Sequence, residues 1–272
     1  FFYIRLMLIL AMLLSGVMVL AMLIGEARRA DMLAYTSGEA PAQLFLLDLH
    51  TRDSFQISTD ATLDHQTPRW SPAGDALTFT ASTGGATHIY TLHLPEREFR
   101  QWSSVAGNSV ADSYPLFREP YWTADGCCVV FHENRGLNEN RRFYMTDMQA
   151  GTTTEVDVNT PQIQAYLSDL FPSRSPSPNG ERVADIGFGD RVFRLMVGDV
   201  TDNAAAYAVS VIELYRTTEA ATILSESIRW SPDSTRLVFA EQGAQNMIYL
   251  VEDQPGAAVQ PLVTGTIADW RP

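Results

Sequence analysis

The sequence predicts an all-β fold, a β-propeller of five blades that is preceded by one transmembrane α-helix. Three observations lead to this prediction. An apolar run fills residues 6–24, a unit of alternating strands recurs after residue 30, and the two ends of the repeat region complement each other. We therefore divide the chain into a membrane anchor with its linker, residues 1–30, and a propeller domain, residues 31–272.

The apolar run at residues 6–24 is interrupted only by two adjacent small residues. At about 1.5 Å per residue, a helix of this length covers about 28 Å, close to the hydrocarbon thickness of a membrane. The run is longer than the apolar core of a cleaved signal peptide, so we expect a single-pass helix in the lipid bilayer. Ala11 with Ser15, and Ala21 with Gly25, place small residues four apart, which permits close packing against other membrane helices.

A repeated unit fills the rest of the chain. Each copy places a turn before a strand of alternating apolar residues, and a second strand follows. The copies read PRWSPAGDALTFTAS (68–82), PYWTADGCCVVFHEN (120–134), SPSPNGERVADIGF (175–188) and IRWSPDSTRLVFAEQ (228–242). The turn residue recurs at Gly74, Gly126, Gly180 and Ser234, at intervals of 52, 54 and 54 residues. One unit therefore corresponds to one four-stranded blade with a modest loop insertion.

The two ends of the repeat region predict a closed ring. Residues 267–272 begin a repeat and break off, whereas residues 32–59 continue a repeat that lacks its beginning. A blade shared by both segments would hide the sheet edges that are otherwise exposed. Counting this shared blade gives five. The irregular stretch 189–227 leaves open an inserted hairpin or a degenerate sixth blade.

The repeat core is similar to a known family. WSPAGDALTFTAS followed by HIYTLHL, and WSPDSTRLVFAEQ followed by MIYLVED, resemble the TolB-type β-propeller repeat. The resemblance covers residues 31–272 and is strong in two or three units; one unit has Thr123 and Ala124 in place of Ser-Pro, and another has Pro176 in place of Trp. It implies that the Trp packs between blades and that these propellers mostly serve as binding platforms. It implies no reaction.

Composition and motifs exclude several classes of function. The net charge of −13 disfavours nucleic-acid binding. All 19 basic residues are Arg, so sites that need a lysine, such as a Walker motif or a Schiff base, cannot form. No G-x-S-x-G elbow, metal-ligand spacing or haem-attachment motif occurs. We therefore expect no catalytic residue, no metal and no cofactor.

Smaller features have structural interpretations. The adjacent Cys127 and Cys128 are expected to be two buried thiols in a strand, because a disulfide between neighbours is strained. Asp75, Asp125 and Asp233 fall in the blade turns, and turn formation explains them.

The stretch YPLFREPYW at residues 114–122 is the candidate contact surface for a partner. Aromatic residues and arginine dominate interface hot spots, so Tyr114, Phe117, Arg118 and Tyr121 are the candidate contacts. A loop packed on its own blade is the alternative.

These features favour a non-catalytic accessory or scaffolding subunit of a larger membrane complex. It would bind integral membrane subunits through the helix and the propeller, for example in a bacterial respiratory or photosynthetic electron-transfer complex. We expect the propeller on the periplasmic or extracellular side. Two alternatives stay open: an extracytoplasmic sensor that captures a small molecule or peptide, and an enzyme that uses acids lining the channel.

Overall fold

The computed structural model describes residues 31–83, 85–103, 116–134, 141–170, 174–201 and 210–272. Within these ranges no helix is both long and apolar enough to cross a membrane. The predicted fold class is therefore corrected: the described residues are all-β, with four-stranded units consistent with a propeller and one short helix, but the predicted transmembrane helix is not found among them. The segment to which that prediction refers, with its packing residues Ala11, Ser15, Ala21 and Gly25, lies outside the described residues.

The strands group into four hydrogen-bonded sheets over the described ranges, and one of them, of eight strands, joins two four-stranded units through a single parallel pair, Thr87 with Leu116. We call the resulting five units blades 1 to 5. Blade 1 contains β1 (Met32–Thr36), β2 (Leu44–Asp48), β3 (Ser54–Gln56) and the last strand of the chain, β21 (Ala268–Trp270). Blade 2 contains β4 (Asp64–Trp70), β5 (Ala76–Thr83), β6 (Ala86–His93) and β7 (Glu98–Gln101). Blade 3 contains β8 (Leu116–Trp122), β9 (Cys128–Asn134), β10 (Arg142–Asp147) and β11 (Thr152–Val156).

The remaining two blades follow the same plan. Blade 4 contains β12 (Ser175–Pro176), β13 (Arg182–Gly189), β14 (Val192–Asp199) and β15 (Ile212–Arg216). Blade 5 contains β16 (Thr222–Ile223), β17 (Arg229–Trp230), β18 (Arg236–Gln242), β19 (Met247–Glu252) and β20 (Gln260–Thr264). Helix α1 (Pro161–Leu170) joins blade 3 to blade 4, and a single 3-10 turn, Ser225–Ser227, precedes β17.

The second strand of blades 2, 3 and 5 is buried on both faces over most of its length. In β18 the run Leu237, Val238, Phe239 and Ala240 is buried without alternation, and β5 is buried from Ala76 to Ala81. Continuous burial is typical of a strand whose sheet is covered on both sides. Here the covering layers are the neighbouring blades, so the core of the protein lies between blades.

The first and last strands of the described chain close the ring. Strand β21 pairs antiparallel with β1, in the register Leu33 to Trp270 and Tyr35 to Ala268. We call β21, β4, β8, β12 and β17 the inner strands of blades 1 to 5. They contact one another in the order β8, β4, β21, β17, β12. The irregular stretch 189–227 supplies strands of blades 4 and 5, so the described residues contain five blades.

In blades 2 to 5 a Ser or Thr follows the inner strand and organises the turn. The Ser71 hydroxyl accepts a hydrogen bond from the Ala76 amide at 3.0 Å and donates one to the Asp75 carboxylate at 2.8 Å. Ser231 bonds the Asp233 carboxylate in the equivalent turn of blade 5, at 2.5 Å. These aspartates therefore hold the turns, as the sequence predicts for them. We call the end of the ring that carries residues 71–75 and their equivalents the turn end.

Candidate functional site

The inner strands β4 and β8 share an irregularity that begins the candidate site. Both lose register at a proline, between Gln66 and Arg69 in β4 and between Arg118 and Tyr121 in β8. Proline cannot donate to a ladder, so a bulge forms there. The residue before each proline has a positive φ, 51° at Thr67 and 54° at Glu119. Non-glycine residues seldom adopt this conformation, and they cluster at functional sites.

Glu119 is the most perturbed carboxylate of the inner strands. Burial raises its pKa above the ordinary value and Glu226 adds to the rise, whereas Arg69, Arg118 and Arg141 oppose it. A partly desolvated carboxylate among arginines is a candidate for recognising a charged group. Glu119 was not among the predicted site residues, and the one sequence signal for it is a charged residue directly before a proline in an inner strand.

Helix α1 packs against blade 3 close to Glu119. Ile163 and Tyr166 are buried against blade 3, and the Tyr166 hydroxyl lies 2.6 Å from Nδ1 of His132. Burial lowers the pKa of His132 to about 4, with Arg141 and Arg118 adding to the effect, and burial also raises the pKa of Tyr166. Both groups are therefore neutral at pH 7, so this pair anchors the helix and does not exchange protons near neutrality.

The predicted contact residues fall in different environments. Tyr114 lies outside the described residues. Phe117 is only 5% exposed, and its ring packs edge-on against Phe131 with 5.8 Å between centroids. Tyr121 is half-buried, 6.5 Å from the Tyr166 ring, and Arg118 is exposed. Phe117 thus belongs to the core of blade 3, and partner contact by Arg118 or Tyr121 stays a prediction.

The hairpin of β13 and β14 carries an aromatic pair in which Phe188 is exposed and Phe193 is half-buried. Its turn places Asp190 and Arg191 at φ values of 52° and 64°. Phe188 is 67% exposed, and its ring lies 4.8 Å from that of Phe193. Alternating apolar residues in a strand ordinarily predict burial, which conceals such a pair in the sequence. Strands β13 and β14 are each eight residues long, and Phe188 and Phe193 pair near the turn that joins them.

Charged side chains surround this aromatic pair. The Arg194 guanidinium lies 2.8 Å from the Asp190 carboxylate and 3.5 Å from that of Glu213. Glu213 in turn binds Arg216 at 2.9 Å, which lowers the pKa of Glu213. We call this surface, comprising the aromatic pair and these charged residues, the blade 4 hairpin surface. An apolar centre with a charged rim is the usual composition of a protein interface.

Cysteine and histidine residues give no metal centre over the described ranges, where no three His, Cys, Asp or Glu side chains approach one another as ligands. The cysteines differ from the sequence prediction of two buried thiols. Cys127 is exposed in the turn before β9, and Cys128 is buried, with the two sulfurs 2.7 Å apart. Cys127 lies in the bend before β9, so the alternation of side chains in an extended strand does not apply to it. Its side chain therefore does not point to the opposite face from that of Cys128.

Comparison with known proteins gives only distant similarities in structure. No family model matches the chain, and no curated protein matches it. TolB from Acinetobacter baumannii is similar at a TM-score of 0.42 and 20% identity, over 89% of this chain and 55% of that chain. The apo AtxE2 isopeptidase gives 0.49 and 12%, over 86% and 49%. The β-propeller domain of Cps50 (Swd1) from Myceliophteria thermophila gives 0.36 and 13%, over 90% and 87%.

The similar structures thus include a TolB, the family that the repeat motif resembles, and other propeller proteins. This chain spans about half of the TolB and isopeptidase chains. At these identities the likeness concerns the arrangement of strands, and the activities of those proteins do not transfer.

Proposed function

We propose that this protein is a non-catalytic interaction propeller that binds a partner protein through the blade 4 hairpin surface. The observation that carries the proposal is the exposure of Phe188, of which 67% is accessible. Covering such a side chain contributes about 2 kcal/mol to an association. Aromatic residues are also the commonest interface hot spots.

The surroundings of Phe188 support this role. The Phe193 ring backs it from the adjacent strand, and the Arg194 ion pairs fix the base of the hairpin. The hairpin therefore presents Phe188 on a second ring and beside ion-paired side chains, and pre-organisation of this kind lowers the entropy cost of binding.

The finer role predicted from the sequence is also part of the proposal. In it, the partner is an integral membrane subunit, and this protein is an accessory component of the larger complex. The sequence alone supports this finer role, and in this proposal the partner binds at the blade 4 hairpin surface.

A substitution at Phe188 tests the proposal. Full-length tagged Phe188→Ala should recover its stoichiometric partner at least about tenfold less than wild type, because the central apolar contact is lost. Phe55→Ala is the matched control, since Phe55 is 54% exposed on the outer strand of blade 1. Quantitative mass spectrometry of crosslinked and detergent-extracted complexes measures both variants. Equal recovery by Phe188→Ala and wild type would contradict the proposal, and partners without membrane proteins would contradict the finer role.

A further inference from the structure

Two arginines tie neighbouring blades together at the turn end of the ring. Arg182 begins β13, and its Nε and Nη2 donate to both oxygens of Asp253 in blade 5, at 2.9 and 3.1 Å. Arg236 begins β18, and its Nη2 donates to Asp31 beside blade 1 at 2.5 Å. The Arg236 guanidinium also lies 5.1 Å from the centre of the Trp270 ring. At these two boundaries an arginine from one blade therefore binds a carboxylate in or beside the next blade.

The equivalent position in blade 2 is occupied by Ala76. Ala76 begins β5 and pairs with His93, as Arg236 begins β18 and pairs with Glu252. A methyl group cannot reach the next blade, and a cavity of about 410 Å³ lies there between blades 2 and 3. Ala76 and Trp122 are among the residues that line it. The cavity, which we call the blade 2–3 cleft, is large enough for a ligand group.

Trp122 lacks the hydrogen bond that two of its equivalents, Trp230 and Trp270, make. The indole Nε1 of Trp230 donates to Ser175 O at 2.9 Å, and that of Trp270 donates to Arg229 O at 3.1 Å. Trp122 is 7% exposed, and its Nε1 has no partner among the described residues. Trp70 also lacks one, but the Arg271 guanidinium covers its ring at 5.2 Å.

The cleft has the charges that a guanidinium requires. Asp75, Glu98 and Asp125 contribute three carboxylates to its lining. Hydrogen bonds from Thr123 and from the Cys127 amide lower the pKa of Asp125, so this carboxylate is ionised.

Two cationic side chains line the same cleft, and both already have partners. Arg100 stacks on Trp102 at 4.0 Å from the ring centre. His93 interacts with Glu96 and, at 3.6 Å, with Asp75. The lining is therefore acidic in balance, and it includes Trp122, whose ring is mostly buried. Carboxylates beside an aromatic ring are a combination that binds guanidinium groups.

We propose that the blade 2–3 cleft binds the guanidinium group of an arginine side chain from a partner protein. The arginine would take the place that Arg236 has at the boundary of blades 5 and 1, beside Trp122 and Asp125. This site lies at the turn end, opposite the β13–β14 connection, and it does not depend on the blade 4 hairpin surface.

The test titrates the full chain with the peptide acetyl-Gly-Arg-Gly-amide, followed by tryptophan fluorescence and calorimetry. We expect saturable binding with a dissociation constant of about 1 mM. The same peptide with citrulline in place of arginine should bind at least about tenfold more weakly, because it is uncharged. Equal binding of both peptides, or no saturation with the arginine peptide, would overturn the proposal.

Two variants locate the binding. Ala76→Arg restores the arginine found in blades 4 and 5, so it should occupy the cleft, abolish peptide binding and raise the melting temperature. Thr154→Arg is the matched control, since it adds the same charge at an exposed position of β11. Asp125→Asn should weaken binding severalfold without filling the cleft. If Ala76→Arg binds the peptide with wild-type affinity, the assignment is overturned. If that variant fails to fold, wild-type affinity in Asp125→Asn overturns it instead.

Discussion

At the scale of single residues, burial determines which side chains are reactive. Cys127 and Cys128 are neighbours in the chain, yet the first is exposed and the second is buried in β9. Burial raises the pKa of the Cys128 thiol to about 12, and its contact with Cys127 adds to this. Because the thiolate is the reactive form, Cys128 should be inert at neutral pH.

Alkylation tests this difference. At pH 8 in the native state, we expect iodoacetamide to modify one thiol per chain within minutes. Cys127→Ser should abolish this fast reaction, and Cys128→Ser should preserve it. Intact-mass spectrometry over time measures the rates, with urea-unfolded protein as the reference for two reactive thiols. Fast labelling that survives Cys127→Ser would contradict the assigned burial.

His132 should make stability depend on pH. Its pKa is lowered from 6.5 to about 4 in the folded protein, so the folded state binds fewer protons than the unfolded state between these values. The free energy of unfolding therefore keeps the full contribution of neutral His132 above pH 6.5. This contribution declines as the pH falls from about 6.5 to about 4, by roughly 3 kcal/mol in all. Urea unfolding from pH 7 to pH 4 measures it. His132→Gln should flatten this part of the profile, and an unchanged slope would count against the assignment.

At the scale of secondary-structure elements, local chemistry determined what could be predicted. The turns at Gly74 and Gly126 and the strands after them recur with a period, so their positions follow from the sequence. Helix α1 escaped notice because its apolar residues, Ile163, Tyr166 and Leu167, show helical spacing over only ten residues within an array of strands. A pattern this short competes poorly with the surrounding repeat.

The candidate sites depend on contacts between elements, which a single sequence does not reveal. The bulge at Glu119 follows from the ladder that Pro120 interrupts, and the exposure of Phe188 depends on how the β13–β14 hairpin packs against its neighbours. The blade 2–3 cleft is different. Aligning Ala76 with Arg182 and Arg236 in the repeat would have revealed the missing arginine, once the role of those arginines was known.

At the scale of the whole molecule, the pairing of β1 with β21 holds the ring. Trp270 is 5% exposed in a core that includes Leu33, Tyr35 and Val238, so residues from both ends of the described chain share one cluster. Without β21 the edge of β1 would be unpaired.

Removing residues 266–272 tests ring closure. We expect the free energy of unfolding to fall by at least about 4 kcal/mol, because three paired residues, the buried Trp270 among them, are lost. Limited proteolysis should then cut within residues 31–59. Arg271→Ala is the control that retains β21, and it should cost less than about 1 kcal/mol. Unchanged stability and protease resistance after the deletion would contradict closure.

The central claim is that the ring serves as a support for partner binding at the blade 4 hairpin surface. Site-specific photocrosslinking tests it most directly, with p-benzoylphenylalanine placed at Phe188 or at Phe55 in the full-length protein in its native cells. Both positions are aromatic and exposed. The proposed function predicts one discrete crosslinked partner from position 188 and none from position 55. No crosslink at position 188, or the same products from both positions, would contradict it.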